Sequence, residues 1–269
     1  MDFYEPKDDT ADQRPLIIYA HGGGFTDQTQ TKSLIHIVAY CDSMARRGYA
    51  VASIDYRLDE SICNRAVINA MHDMKAAIRF FKKEQTFYKI DESQIFLAGE
   101  SAGAITALTS NYINQDSETA FPPTPPMASD NSADGNSGNS GFSSEARATL
   151  CFCGGTATVL NELLFDTLAI QTDLDPPLLQ VHGTADLLIP ITKALDVAIR
   201  ANNLSLPSLF YPLSGATHCP WYFPLENSWA YLDTLIGFSV PFLYAAISET
   251  TSIDLLNNCL LYTSDAADE

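Results

Sequence analysis

The chain has 269 residues, 46% of them apolar and 18% charged, a balance that excludes disordered and fibrous classes and suits one domain with a full core. Its formal charge of −18 argues against nucleic acid and anionic membrane surfaces as partners, and reads first as a solubility-promoting surface. Six cysteines are too few for a disulfide scaffold. Cys41 and Cys63 could pair or stay as buried thiols. Cys151 and Cys153 sit two apart in a strand-like run, so they are expected to point the same way and not to bridge. No stretch approaches the roughly 18 to 20 consecutive apolar residues of a membrane span.

In chain order, the start MDFYEPKDDTADQ is polar and acidic, without the regions of a signal peptide. The compartment stays open: secreted or periplasmic if a leader preceded this start, otherwise cytoplasmic. Arg14 to Ala20 is a short apolar run of the buried-strand type, ending in His21-Gly-Gly-Gly24. Ser33 to Arg47 has apolar residues at helical spacing and stops at Gly48. Tyr49 to Ile54 reads as a second buried strand. Arg65 to Lys83 is an amphipathic helix, with Met71, Met74, Ile78 and Phe81 at three- and four-residue steps. Gln94 to Ala98 is a strand and Ala102 to Tyr112 a helix. From Gln115 to Ser144 a Pro cluster leads into a Ser/Asn/Gly/Asp tract that buries little, so residues 115–146 read as a flexible surface insertion. Strand signals resume at 148–153, 177–181 and 208–212, with a helix at Ile191 to Asn202. Alternating strands and helices imply an α/β fold: a mostly parallel sheet covered on both faces, with ligands at the strands' carboxyl ends.

Gly99-Glu100-Ser101-Ala102-Gly103 fits G-x-S-x-G between a buried strand and a helix, the setting in which a serine becomes a nucleophile. The two glycines are expected to permit the tight turn, with Ser101 itself strained. An ordinary glycine turn is the competing reading. His21-Gly-Gly-Gly-Phe25 offers backbone N–H groups with no side chain in the way. Gly23 and Gly24, with Ala102 after the nucleophile, are the candidate oxyanion donors. A phosphate loop would need Lys-Ser/Thr after the glycines, or G-x-G-x-x-G, and neither is present. His21 reads as structural.

Only His182 and His218 follow the serine, and the order Ser, acid, His fits this architecture. His182-Gly-Thr-Ala-Asp186 puts Asp186 in a loop past a strand. His218, in Ser214-Gly-Ala-Thr-His-Cys-Pro220, lies past the next one. Asp186 as orienting acid and His218 as base is the economical assignment. His182 is expected to satisfy a loop hydrogen bond, and Asp173 and Asp175 are the competing acids. With neither H-E-x-x-H nor paired Cys-x-x-Cys, no metal or cofactor is expected.

Taken together, HGGGF, Asp55-Tyr-Arg-Leu58, GESAG, HGTAD and the final G-x-x-H resemble the carboxylesterase branch of the α/β-hydrolase superfamily, over roughly residues 1 to 240. The likeness is to bacterial esterases of the hormone-sensitive-lipase and feruloyl-esterase groups. It implies a serine esterase with the triad Ser101, Asp186 and His218, acting on small-molecule esters of short-chain or plant-polysaccharide type. Asp55 and Arg57 would then tie loops together. A serine peptidase, a binding protein on the same scaffold and an inactive fragment are the alternatives. The family sheet begins with two further strands, of which only Asp2 to Glu5 could remain, so the strand at 49–54 is expected at a sheet edge. Gly154 to Asp175 leaves room for a small cap at most. A catalytic domain over 1–250 is expected, followed by a tail, Cys259 to Glu269, that reads as translated sequencing-adapter sequence.

Overall fold

The structure, a computed structural model, describes residues 1–116, 130, 132–156, 158–159, 162–163 and 167–248. The expected tail at 259–269 lies outside them. The elements run β1 (Asp2–Tyr4), β2 (Arg14–Ala20), α1 (Ile35–Ala45), β3 (Ala50–Ile54), α2 (Asn64–Lys83), α3 (Gln85–Tyr88), β4 (Ile90–Glu100) and α4 (Ala102–Tyr112). Then follow β5 (Ala148–Phe152), β6 (Thr158–Val159), β7 (Glu162–Leu163), β8 (Leu178–Gly183), α5 (Ile191–Asn203), β9 (Ser208–Leu213) and α6 (Ser228–Ile247). Seven strands form one sheet in the order β1-β3-β2-β4-β5-β8-β9, antiparallel only at β1. β6 and β7 make a separate two-stranded pair.

Continuous apolar runs become central strands because both of their faces are covered. In β2, Leu16, Ile18 and Ala20 face one core with α2, α4 and α5, while Ile17 and Tyr19 face a second core with α1 and α6. On α2, Met74, Ile78 and Phe81 are fully buried, each worth about 1.5–3 kcal/mol. Gly48, at φ +96°, ends α1 by taking the left-handed angle a helix C-terminus requires.

The structure departs from the sequence reading, or adds to it, at five points. First, β3 is not a sheet edge, because Phe3 pairs with Ala52 and Tyr4 with Val51. Second, α6 went unforeseen. It is long and apolar enough to cross a membrane by length and composition, but Leu232, Leu235, Ile236, Phe242 and Leu243 pack into the second core.

Third, residues 117–129 and 131 of that insertion lie outside the described residues, while 132–146 is laid against α2 largely by polar bonds, with Ala133 and Ala146 buried in the first core. Arg79 donates to the carbonyls of Asp134, Ser137 and Gly138 at 3.0, 2.7 and 3.2 Å, and Lys82 to that of Glu145 at 2.7 Å. Fourth, Cys151 and Cys153 do not point the same way. Cys153 leaves the strand at φ +51°, which sends it into the second core while Cys151 stays in the first. Fifth, Cys41 and Cys63 lie in different cores and are free.

Candidate active site

Ser101 is the one residue between β4 and α4. Its N–H donates to the Phe152 carbonyl of β5 at 2.9 Å, and its own carbonyl accepts from Ala104 and Ile105. The left-handed angle of this turn, φ +54° with ψ −118°, belongs to Ser101 itself. The glycines serve close approach, not conformational freedom as the sequence suggested. A Cβ on Gly99 would overlap the Gly103 carbonyl, and one on Gly103 would overlap that of Ala20. The sheet and the helix therefore clamp the turn from both sides.

The loops after β8 and β9 bring two further groups to the serine. His218 Nε2 lies 2.9 Å from Ser101 Oγ, and its Nδ1 lies 2.6 Å from Asp186 Oδ2. With Nδ1–H donating to a carboxylate, Nε2 is left to accept the serine proton. Asp186 Oδ1 accepts the N–H groups of Leu188 and Ile189 at 2.8 and 2.9 Å. Burial alone would raise the Asp186 carboxyl, but hydrogen bonds from His182, His218 and the Ile189 N–H outweigh it and hold the group well below the usual carboxylate range.

His182 Nε2 lies 2.8 Å from the Ile189 carbonyl and 3.3 Å from Asp186 Oδ2, so it braces the acid's loop. Asp175 is occupied elsewhere, accepting from the N–H groups of Gln171 and Thr172. His21 Nδ1 lies 2.6 Å from the Gly22 carbonyl, and the ring stacks on Tyr56. Asp55 accepts the Lys32 N–H at 2.9 Å, and Arg57 pairs with Asp73 of α2.

Gly23 and Gly24, at φ +106° and +59°, curl the loop after β2 over the serine. Ala102 opens α4, so its N–H is one of those without an acceptor inside the helix. All three line the same pocket of about 410 Å³ as Ser101 and His218. Its apolar wall comes from Phe25, Ile62, Ile105, Leu188, Ile189 and Pro190, with Asp27, Gln30, Lys193 and Tyr222 as polar lining. None of the described residues of 154–175 lines it.

Sequence reasoning missed what lies beneath the serine. Glu100 is fully buried and receives His36 Nε2 at 2.8 Å, the Trp221 indole N–H at 2.7 Å and the Tyr19 hydroxyl at 3.0 Å. Burial would raise this carboxyl, but the facing His36 and the three donors keep it below its ordinary value. The signal was available: a carboxylate ending a buried strand must find partners.

Comparison with known proteins adds three findings. The BD-FAE family model matches residues 1–147, just over half of the chain, which takes in HGGGF and GESAG but neither Asp186 nor His218. Esterase LipC of Mycobacterium tuberculosis is 27% identical over 237 residues, covering 81% of this chain and 56% of LipC, so the chain spans little more than half the length of that relative. Thermogutta terrifontis esterase 2 phosphorylated by paraoxon superposes with a TM-score of 0.71 at 23% identity, covering 90% of this chain and 86% of that one. Its propionate-bound form gives 0.70 at 22%, covering 90% and 87%. At that identity the likeness is one of fold, and the fold is that of the α/β-hydrolases.

Proposed function

The chain belongs to the BD-FAE family, and on that premise we propose that it hydrolyses carboxylic esters through an acyl-enzyme, with Ser101 as nucleophile, His218 as general base and acid, and Asp186 as the group that orients His218. The observation that carries the reading is the unbroken relay from Ser101 Oγ through His218 to Asp186, at 2.9 and 2.6 Å, opening on a pocket.

In this reading His218 Nε2 takes the Ser101 proton as Oγ attacks the ester carbonyl. Negative charge collects on the carbonyl oxygen, where the N–H groups of Gly23, Gly24 and Ala102 receive it. A single donor of this kind is worth about 2.7–4 kcal/mol at the transition state. His218 then protonates the leaving alcohol and later activates the water that frees the acid. Asp186, held ionised by its hydrogen bonds, fixes the tautomer and stabilises the imidazolium.

The preferred substrates are uncharged esters with short acyl chains. A pocket of about 410 Å³ lies toward the small end of the roughly 300–1,000 Å³ typical of ligand sites. Structures of Thermogutta terrifontis esterase 2 with propionate and with butyrate support the same size class. The test is a p-nitrophenyl ester panel from acetate to palmitate beside the matching anilide, run on the parent and on Ser101→Ala. Turnover should peak at short chains, be negligible for the anilide and vanish in the variant. Activity rising steadily to palmitate would overturn the substrate class, and a Ser101→Ala protein keeping a tenth of the activity would overturn the mechanism.

A further inference from the structure

Two sulfur atoms beside the base take no part in the chemistry above. Cys153 directly follows β5, and Cys219 directly follows His218. Both are 0% exposed, and both hold left-handed angles, φ +51° and +43°. Residues with a Cβ keep such angles only where their surroundings fix them. The Cys219 N–H donates to Cys153 Sγ at 3.0 Å. One ligating atom from each of Cys153, Cys219 and His218 lies within 4.8 Å of the other two.

We propose that Cys153, Cys219 and His218 form a capture site for a thiophilic divalent ion of the zinc class, and that the captured ion switches hydrolysis off. The binding half stands on this geometry alone. The inhibitory half rests on the role of His218 proposed above.

Zinc bonds of about 2.3 Å to sulfur and 2.0 Å to nitrogen place tetrahedral donors roughly 3.5 to 4 Å apart, so the three need to close by about 1.3 Å at most. Charge balances as well. Each thiol gives up its proton to solvent, two thiolates cancel the dication, and a neutral imidazole adds nothing, so no net charge is buried. A water completes the tetrahedron. Whichever ring nitrogen of His218 bonds the ion, the base is lost. Through Nε2 it can no longer accept the Ser101 proton, and through Nδ1 it gives up Asp186. A metal fits this pair better than oxidation does. A thiol-disulfide partner must approach a sulfur in line, and these sulfurs are closed to solvent, whereas His218 lines the pocket and gives a small ion an entrance at its own third ligand. Cys41 and Cys63, each in a different core, behave as small apolar side chains and serve as controls.

The experiment uses the full chain carrying Cys259→Ser, so that the thiol near the end does not contribute. Cadmium and cobalt are titrated while thiolate-to-metal charge-transfer absorption is read, and zinc is titrated against ester hydrolysis with and without a chelator. One ion per chain should bind with two thiolates, and activity should fall in parallel and return with the chelator. Cys153→Ser should hydrolyse esters normally in the absence of metal, lose the charge-transfer band and need at least about 100-fold more zinc for inhibition. Cys41→Ser should behave as the parent. If Cys153→Ser does not fold, proton release from the parent decides: saturating cadmium should free two protons per chain, one from each thiol it ligates. Absence of a charge-transfer band, no release of protons on cadmium binding, or a folded Cys153→Ser as zinc-sensitive as the parent would each overturn the site. A protein that binds cadmium through two thiolates but hydrolyses no ester would overturn the esterase reading and leave the site standing.

Discussion

Replacing Ser101 with glycine and with alanine separates its chemistry from its backbone. Both changes remove the hydroxyl, so both should lower kcat by about 10⁴ to 10⁶. They differ in what they do to a residue at φ +54°, ψ −118°. Alanine keeps the strain, on the order of 1–3 kcal/mol for a residue with a Cβ in a sparsely populated region. Glycine releases it, but returns about 0.5–1 kcal/mol to the unfolded chain as entropy. It also gives up the burial of one methyl, about 0.8 kcal/mol at most. At the middle of these ranges the glycine variant should be the more stable by about 0.5 kcal/mol, or roughly 1–2 °C in Tm for a domain of this size. Urea titrations and thermal melts followed by circular dichroism read the difference, with p-nitrophenyl acetate hydrolysis as the control for lost activity. A glycine variant that melts clearly below the alanine variant would show that the turn holds less strain than the roughly 1.3–1.8 kcal/mol glycine costs in entropy and burial, and would refute the strain assigned to Ser101.

Other expectations follow from the same contacts. Asp186→Asn should lower kcat by about 10⁴ by imposing the wrong tautomer on His218, while Asp175→Asn should stay within a few-fold; the reverse order would move the acid. Glu100 is held below its ordinary value in the folded chain, so its contribution is fully present above that ordinary value of about 4.3 and is lost below it, as pH falls through the lower folded value. Melting temperature measured from pH 3 to 7 should thus drop less steeply at the acid end in Glu100→Gln, and an equal or steeper drop would refute the reasoning. Arg79→Met leaves the carbonyls of Asp134, Ser137 and Gly138 without their donor. It should cost about 1–3 kcal/mol in urea and speed limited proteolysis within 132–146; unchanged cleavage would mean that the tract is held by other means.

The fold and the serine turn were legible because their signals are local. A buried strand, five residues with glycine at both ends and a helix fit within a window of some twenty positions, and the run of strands and helices follows from period alone. Asp186 and His218 were reached by elimination among few histidines, and the sheet, by sending both loops to one edge, brings them beside Ser101. That Glu100 needs partners was legible, but not which ones, since Tyr19, His36 and Trp221 are separated from it by 81, 64 and 121 residues. Helix α6 was not assigned from sequence; it contains Gly237 and Pro241, residue types that tend to end helices. Tertiary burial of its apolar residues overrides both. The tract at 132–146 misled because composition reports how little it can bury, not how many carbonyls a nearby arginine can hold.

Helix α6 also sets the timing of folding during synthesis. Every strand of the sheet leaves the ribosome before residues 228–247 do, so Tyr19, Phe96, Leu150 and Val181 wait on a face that α1 covers only in part until α6 follows. The opposite face is clothed earlier, by α2 and α4. A nascent chain in this half-dressed state presents an apolar sheet to its neighbours, the kind of surface that recruits chaperones or other unfinished copies. Slowing translation just upstream of α6 would lengthen that exposure and lower soluble yield, without altering a single contact in the finished protein.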